Sequence, residues 1–215
     1  MRWLQGDLDP HLLRGIDSGR KQRVSGKSGI AHRLEPGYPA KRSCSVVGDN
    51  NLLNGQWWPM QICAMRDGAH GEIEGGIHGA PGKGALSIIL SSGGYDDLDE
   101  GDRILYCGTS GAAGKPTAGT NHMKEAKSLG NPVRVLRSSA LPAKNQYRPS
   151  KGLRYDGLYT IVDEEILDVA TAMHRFSLRR IPGQDPIRCD GVEARPTSEE
   201  IAEYVKIRKL IGLTT

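Results

Sequence analysis

Six short strand-like runs place the strongest constraint on how this chain of 215 residues can fold. Each run holds four to six residues, among which β-branched, aromatic and long apolar side chains predominate, as is typical of strands. Glycine- or proline-containing turns separate several of the runs, where parallel strands would need a crossover helix. We therefore predict an α+β fold with a curved sheet or barrel, mostly antiparallel and with a few peripheral helices. The runs are Met60–Met65, Leu86–Leu90, Arg103–Tyr106, Val133–Arg137, Leu158–Val162 and Met173–Leu178.

Two helices are predicted beside this sheet. The first covers Asn121–Leu129 and stops before Gly130 and a proline. The second begins at Thr197, because Thr197 and Glu200 have the spacing of a capping box and apolar residues follow on one side. We expect this second helix to pack on the core in preference to binding a partner.

The distribution of charge divides the chain into three predicted parts: a basic N-terminal arm (1–42), a sheet domain (43–190) and a C-terminal helical extension (191–215). The arm, with one short predicted helix over Pro10–Ile16, holds nine Lys/Arg and four Asp/Glu and is therefore +5. Since the whole chain is +4, the remainder is close to −1. Residues 124–154 nevertheless hold eight basic residues and one acidic residue, a stripe that fits either phosphate binding or a solvated face.

Several functional classes lack their sequence signatures. No apolar run approaches the roughly 20 residues that span a bilayer, and the N-terminus lacks a secretory pattern, so we expect an intracellular protein. The four cysteines form no Cys-x-x-Cys pair and the six histidines form no His-x-x-x-His pair, which argues against zinc sites. The P-loop-like segment Gly108–Thr117 has the wrong glycine spacing, and Pro116 replaces its Ser/Thr. We predict no catalytic residue, metal or cofactor.

A cluster of acids between the second and third runs is the most informative local feature. It can be a turn between strands or, with lower expectation, a magnesium site, although no lysine stands beside it. Its neighbours favour a ligand pocket, because Gly93 and Gly94 let a backbone approach a ligand closely and tyrosines flank the acids. The acids are Asp96, Asp97, Asp99, Glu100 and Asp102.

Ordered blocks along about residues 45–185 resemble the SRA (SET and RING associated, or YDG) domain family. The segment Arg154-Tyr155-Asp156-Gly157 carries the signature of that family, and we expect it to shape a turn and tie the sheet together. The blocks are Gly76–Gly79, Gly84–Leu90, Gly93–Asp99, Tyr106–Gly108, Pro132–Arg137, Tyr147–Pro149 and Arg154–Tyr159.

The resemblance implies a PUA-like, crescent-shaped β-barrel that binds double-stranded DNA and flips 5-methylcytosine into a pocket. It implies a nuclear reader found in chromatin proteins, which is neither an enzyme nor a membrane protein and has no small-molecule substrate. By position, Tyr95 and Tyr106 match the aromatics that sandwich the base, and Asp97 matches the carboxylate that reads its edge. Gly93 and Gly94 match the backbone against the ring, and the predicted pocket is completed by Asp96 and Cys107.

Elementary chemistry agrees with this assignment. Cytosine presents an N4 amino donor, for which a carboxylate is a suitable acceptor. Stacking contributes about 1–3 kcal/mol per base, enough to offset much of the few kcal/mol needed for unstacking. The buried methyl group adds about 0.8 kcal/mol, or roughly fourfold in affinity. The residues expected to contact DNA are Gly75, Gly76, His78, Lys83, Lys115, Arg134 and Arg148.

The chain departs from the family pattern in the pocket. The loop between the two tyrosines is one residue shorter than usual, which leaves open whether Asp96 or Asp97 reads the base. Cys107 stands where a threonine commonly lines the pocket, so a hydroxyl contact is lost.

Two DNA-facing loops also differ. The segment Gly108–Gly119, a long finger in members that recognise hemimethylated CpG, is short here and holds Lys115 alone as a cation. Glu74 replaces an apolar or amide residue, and phosphates would repel it. An alternative function is therefore a protein-interaction module that keeps the fold and has lost or weakened DNA binding. A third hypothesis is a modification-dependent nuclease, for which the sequence offers no candidate nuclease domain.

Overall fold

A computed structural model describes residues 12–22, 28–38, 42–92 and 97–210. Its helices are α1 (Gln61–Arg66), α2 (Ala118–Leu129) and α3 (Ser198–Leu210). Its strands are β1 (Ile16–Gln22), β2 (Ser28–Leu34), β3 (Trp57–Trp58), β4 (Ile77–Ala80), β5 (Gly84–Leu90), β6 (Leu98–Asp99), β7 (Arg103–Cys107), β8 (Val133–Ser138), β9 (Leu153–Asp168) and β10 (Met173–Arg180).

The main sheet has eight strands in the order β4-β5-β8-β9-β10-β7-β6, with β3 paired to β9. Its pairs are antiparallel except β5 with β8, because α2 lies between those two strands in the chain and provides the crossover that a parallel pair needs. The mostly antiparallel sheet with helices is therefore confirmed. Within the described ranges no pairing joins β4 to β6, and closure into a barrel stays a prediction.

Five of the six strand-like runs form strands, and the prediction for Met60–Met65 is wrong because this run forms α1. Trp57 and Trp58 pair instead with β9, and Pro59 directly after them has no amide hydrogen for a continued ladder. A continuous apolar run shows no periodicity that would separate a buried strand from a buried helix. The helix buries Ile62, Cys63, Ala64 and Met65.

Both predicted helices are confirmed. Helix α2 begins three residues earlier than predicted, because the Thr117 hydroxyl caps it by accepting the Thr120 amide at 3.2 Å. It ends at Gly130, whose φ of 67° is left-handed. At α3 the capping box forms in both directions between Thr197 and Glu200, at 2.7 and 3.3 Å. Helix α3 packs on the domain through buried Ile207.

The described part of the N-terminal region forms a hairpin. Strands β1 and β2 pair from Ile16 with Leu34 to Gln22 with Ser28, in a sheet of their own. The predicted helix Pro10–Ile16 lies partly outside the described residues, and its described part is wrong: residues 12–15 form turns and Ile16 begins β1. Arg66 anchors this turn by donating to the carbonyl oxygens of Leu12 and Arg14 at 2.8 and 3.0 Å.

Two hydrophobic clusters cover the sheet. Neighbouring residues of β5 enter different clusters, Ile88 with α2 residues such as Met123 and Ile89 with α1 residues such as Ile62. Alternation of side chains along a strand accounts for this division. Strand β5 is therefore buried along its whole length.

A network of buried charges joins β6, β8 and β9. Arg137 and Arg154 both contact the fully buried Asp156 carboxylate, at 3.0 and 2.6 Å. Arg137 also contacts Asp99 at 2.6 Å. Arg154 further donates to the carbonyl oxygen of Tyr147 at 2.6 Å. The expectation that the Arg154–Gly157 segment ties the sheet together is therefore confirmed. The expectation that it shapes a turn is wrong, because the segment lies within β9.

We expect Asp156→Ala to lower the free energy of unfolding by about 3–5 kcal/mol, because two buried guanidinium groups would lose a shared carboxylate. Urea unfolding at neutral pH measures this change. Asp163→Ala is the matched control, since its side chain is 77% exposed and lies 4.0 Å from Lys127, and it should change stability by less than about 0.5 kcal/mol. Similar small effects in both variants would contradict a structural role for the network.

Candidate functional site

Two predicted pocket residues meet where β6 approaches β7. Leu98 and Asp99 pair with Leu105 and Ile104, and Asp97 directly precedes this short ladder. The backbone amide of Cys107 donates to Oδ1 of Asp97 at 2.8 Å. A hydrogen bond from an amide to a carboxylate is charge-assisted, so it holds the Asp97 carboxylate firmly at the end of β7.

Asp99, two residues after Asp97, anchors this strand in the protein interior. Arg137 donates to both of its carboxylate oxygens, at 2.6 and 2.8 Å, and Asn145 donates at 3.0 Å. Burial alone would raise the pKa of the Asp99 carboxyl, but the Arg137 guanidinium lowers this pKa below its ordinary value. Asp99 is thus ionised at neutral pH and keeps Asp97 in a defined position.

Tyr106 lies on β7 opposite Phe176, and only 6% of its surface is exposed. Its hydroxyl donates to the carbonyl oxygen of Gly76 at 3.2 Å. A β-carbon at position 76 would come within 2.9 Å of this hydroxyl, so glycine permits the close approach. The ring also packs in the core cluster, and stacking on a base stays a prediction.

His70 holds the segment that reaches Tyr106, and the sequence did not indicate this role. Its Nε2 lies 2.9 Å from the carbonyl oxygen of Gly75, and its Nδ1 lies 2.8 Å from the Ser87 hydroxyl. A carbonyl can only accept, so we assign the proton to Nε2 and make Nδ1 the acceptor. Burial lowers the pKa of His70 to about 3, and the ring is neutral at neutral pH.

The loop before Gly75 is exposed but fixed at its ends. Gln61 donates to the carbonyl oxygens of Glu72 and Gly75, at 2.9 and 2.8 Å. Between these points Ile73 is 42% exposed and Glu74 is also exposed. The backbone of this loop is therefore held in place by hydrogen bonds, and the loop exposes the apolar Ile73 between the acidic residues Glu72 and Glu74.

Four predicted pocket residues lie outside the described residues: Gly93, Gly94, Tyr95 and Asp96. The aromatic sandwich and the choice between Asp96 and Asp97 consequently stay predictions. The described residues of the predicted pocket, Asp97, Tyr106 and Cys107, lie together at the β6–β7 end of the sheet.

The predicted DNA contacts occupy different environments. Lys83 and Lys115 are exposed, and the Lys83 ammonium donates to the carbonyl oxygen of Ser45 at 2.7 Å. Arg148 is half-buried and donates to the carbonyl oxygen of Leu141 at 3.2 Å. His78 is buried, and hydrogen bonding, chiefly with the Cys44 thiol and also with Glu72, raises its pKa although burial opposes this.

The prediction that Arg134 contacts DNA is corrected by the structure, because its guanidinium is fully buried and bound to backbone carbonyls. A side chain enclosed in this way is not available to a DNA phosphate, although its charge suggested that role. Its acceptors are Cys44, Val46, Gly48 and Ala69, at 2.6 to 3.1 Å.

The predicted basic stripe is also reduced by burial. Of its eight cations, Arg134, Arg137 and Arg154 lie inside the protein, where carbonyls and carboxylates satisfy them. The stripe therefore presents fewer positive charges to solvent than its sequence indicates.

The described ranges contain no group of three His, Cys, Asp or Glu residues that could hold a metal ion. Of the acid cluster considered for magnesium, Asp99 is bound to Arg137 and Asp96 lies outside those ranges. No helix in the described part of the chain is long and apolar enough to cross a membrane.

Comparison with protein families matches residues 46–184 to the SAD/SRA domain. Among curated proteins, the human E3 ubiquitin-protein ligase UHRF2 is 29% identical over 193 residues, which cover 74% of this chain and 23% of that protein. The E3 ubiquitin-protein ligase ORTHRUS 3 of Arabidopsis thaliana is 32% identical over 202 residues, covering 87% and 29%. The chain thus spans about a quarter of the length of these relatives.

Two solved structures share the fold. The SRA domain of SUVH5 in complex with hemimethylated CG DNA is 30% identical, with a TM-score of 0.54 and coverage of 66% of this chain and 97% of that one. A modification-dependent restriction endonuclease, TagI, is also 30% identical with a TM-score of 0.54, covering 63% and 52%.

The buried His70 should make stability depend on pH. As pH falls below 6.5, the unfolded chain gains a proton on His70 that the folded chain does not bind, so the folded state loses stability down to pH 3. Between pH 7 and pH 5, urea unfolding of the wild type should lose roughly 2 kcal/mol more than unfolding of His70→Gln. Parallel pH profiles for wild type and His70→Gln would refute the buried neutral assignment.

Proposed function

Because the chain belongs to the SAD/SRA domain family, we propose that it binds double-stranded DNA and captures a flipped 5-methylcytosine at Asp97. One observation carries this proposal: the Asp97 carboxylate is fixed by the Cys107 amide within the segments that match the family. The similarity to an SRA domain bound to methylated DNA supports the same ligand class. We further propose that the chain reads the base without catalysing a reaction on it.

The proposed reading of cytosine depends on the acceptors of Asp97. An ionised carboxylate has about four lone-pair sites on its two oxygens, so it can accept the Cys107 amide and a cytosine amino group together. Thymine presents an acceptor in place of that amino group and would face the carboxylate unfavourably. The anchored Asp99 supports this selectivity, because it limits how far Asp97 can turn away from an unsuitable base.

The remaining pocket is assigned by position in the family pattern. Tyr95 and Tyr106 enclose the base, Gly93 and Gly94 lie against its ring, and Asp96 is the alternative reader. Cys107 contributes its amide to Asp97 and leaves a thiol where a hydroxyl is usual. In this proposal the sheet curves into the PUA-like barrel that surrounds such a pocket.

Contacts with the duplex outside the pocket are proposed at exposed positions. Lys83 and Lys115 are available for phosphates, and Arg148 is a partly buried candidate. The fixed backbone at Gly75 and Gly76 supports an approach of this loop to the DNA. The proposal includes a nuclear, chromatin-associated location. His78 is proposed only as a secondary contact with DNA, because its ring is buried.

A second candidate, a protein-interaction module with weakened DNA binding, is favoured by the electrostatics. The exposed loop carries Glu72 and Glu74, which phosphates would repel. Three arginines of the predicted stripe are also enclosed in the protein. Weak or absent binding to every duplex would select this candidate.

We expect the wild type to bind a duplex with 5-methylcytosine about fourfold more tightly than its unmethylated counterpart, as the burial of one methyl group predicts. Asp97→Ala should weaken binding to the methylated duplex about tenfold or more, since it removes a hydrogen bond to a charged acceptor. Fluorescence anisotropy with matched duplexes measures both effects. Asp97→Asn should lose affinity similarly, although its amide oxygen can still accept the Cys107 amide.

Asp102→Ala is the matched control, because Asp102 is 76% exposed and lies 3.9 Å from Arg180. Its affinity for both duplexes should stay within about twofold of wild type, as befits a surface position. Equal binding of methylated and unmethylated DNA, unchanged by either Asp97 variant, would refute base capture. Cleavage of methylated DNA in the presence of Mg²⁺ would refute the non-catalytic part of the proposal.

A further inference from the structure

The β1–β2 hairpin lies outside the region that matches the family, which begins at residue 46. We propose that this hairpin is a second DNA-binding element, which contacts phosphates beside the base-reading site. The inference rests on the proposed DNA binding and adds to it a site outside the matched domain.

The hairpin has an excess of basic residues. Between Ile16 and Leu34 the sequence holds five basic residues and one acidic residue, Asp17. Arg33 donates to Asp17 at 2.7 Å, so this acid is neutralised by its cross-strand partner. The two strands β1 and β2 therefore carry a net charge of +2, which comes from Arg20 and Lys21 of β1.

The hairpin is attached to the domain at the base of its two strands, and this attachment fixes the position from which the strands extend. Ile16 and Leu34 contribute to the second hydrophobic cluster at the base of the two strands. Arg14 forms an ion pair with Asp67 at 3.1 Å, just after α1. An element held at its base by packing and ion pairs loses less entropy on binding than a flexible tail.

The hairpin lies beside the exposed loop that contains Glu72 and Glu74. A groove of about 750 Å³ is lined by His32 of β2 and by Glu72, Glu74 and Gly75 of the exposed loop. Gly75 is one of the predicted DNA contacts, so the hairpin emerges beside a surface expected to face the duplex. Strands of seven residues extend about 20 Å, which is enough to reach phosphates beyond that loop.

The chemistry of the ligand follows from this placement. Glu72 and Glu74 repel phosphates at the loop, and a neighbouring surplus of positive charge offsets this repulsion. Contacts with phosphates carry no sequence information, so the hairpin should strengthen binding to methylated and unmethylated duplexes alike. The hairpin accordingly supplies affinity, and the pocket supplies recognition of the modified base.

The test is the double substitution Arg20→Gln with Lys21→Gln in the full chain. At about 0.1 M salt this variant should bind both duplexes roughly tenfold or more weakly, and the slope of log K against log salt should become shallower by about 2. The ratio of affinities for methylated and unmethylated DNA should equal that of wild type. Fluorescence anisotropy over a salt series provides all three values, and thermal unfolding verifies the fold.

Two control variants test whether the position of the removed charges matters. Arg103→Gln with Arg179→Gln removes the same charge from a different groove and should leave affinity and salt slope near wild type. Arg20→Lys with Lys21→Arg keeps the hairpin charge and should bind as wild type does. Equal weakening by both neutralising variants would overturn the proposal, as would an unchanged salt slope in the hairpin variant.

The outcomes for the pocket and for the hairpin are separate. A wild type without methyl preference that still loses affinity and salt slope in the hairpin variant would refute base capture and support the hairpin. A retained methyl preference with no hairpin effect would support the pocket and overturn the hairpin. A wild type that binds no duplex would overturn both.

Discussion

The buried contacts among Arg137, Arg154, Asp156 and Asp99 are the constraint on which the rest of the structure depends. Removal of charges from water costs several kcal/mol per ion, and only close pairing with full hydrogen bonding offsets this cost. Arg137 meets this condition because Asp99, Asp156, the Tyr159 hydroxyl and a backbone carbonyl accept from it. The network can form only when β6, β8 and β9 take their observed positions, so it favours this arrangement over other pairings.

The position of the candidate pocket residues depends on that network of buried charges. Asp99 lies in the interior and Asp97 lies two residues before it in the same short segment. The buried ion pair of Asp99 with Arg137 therefore limits the movement of the half-buried Asp97. Neutral His70 holds Gly75, and the carbonyl oxygen of the next residue, Gly76, accepts the Tyr106 hydroxyl. In the proposed function, a site supported in this way would need little rearrangement of its described parts when a base enters.

Electrostatics separate the cations that stabilise the protein from those available to a ligand. Arg134, Arg137 and Arg154 carry charges that backbone carbonyls and carboxylates already satisfy. The N-terminal hairpin, by contrast, has a charge excess after its single acid is paired with Arg33. A net charge read from sequence counts both kinds equally, although only the second kind can attract a polyanion.

Local chemistry determined much of this protein from its sequence alone. The capping box at Thr197, the glycine that ends α2 and five of the six strands are properties of short segments, and each is present in the described structure. Long-range contacts decided the rest. Met60–Met65 is a helix because Trp57 and Trp58 already occupy the place beside β9, and His70 matters because a distant Ser87 lies against it. Arg134 is buried because four carbonyls surround it. Burial depends on which segments meet in space, and the composition of a single segment does not contain that information.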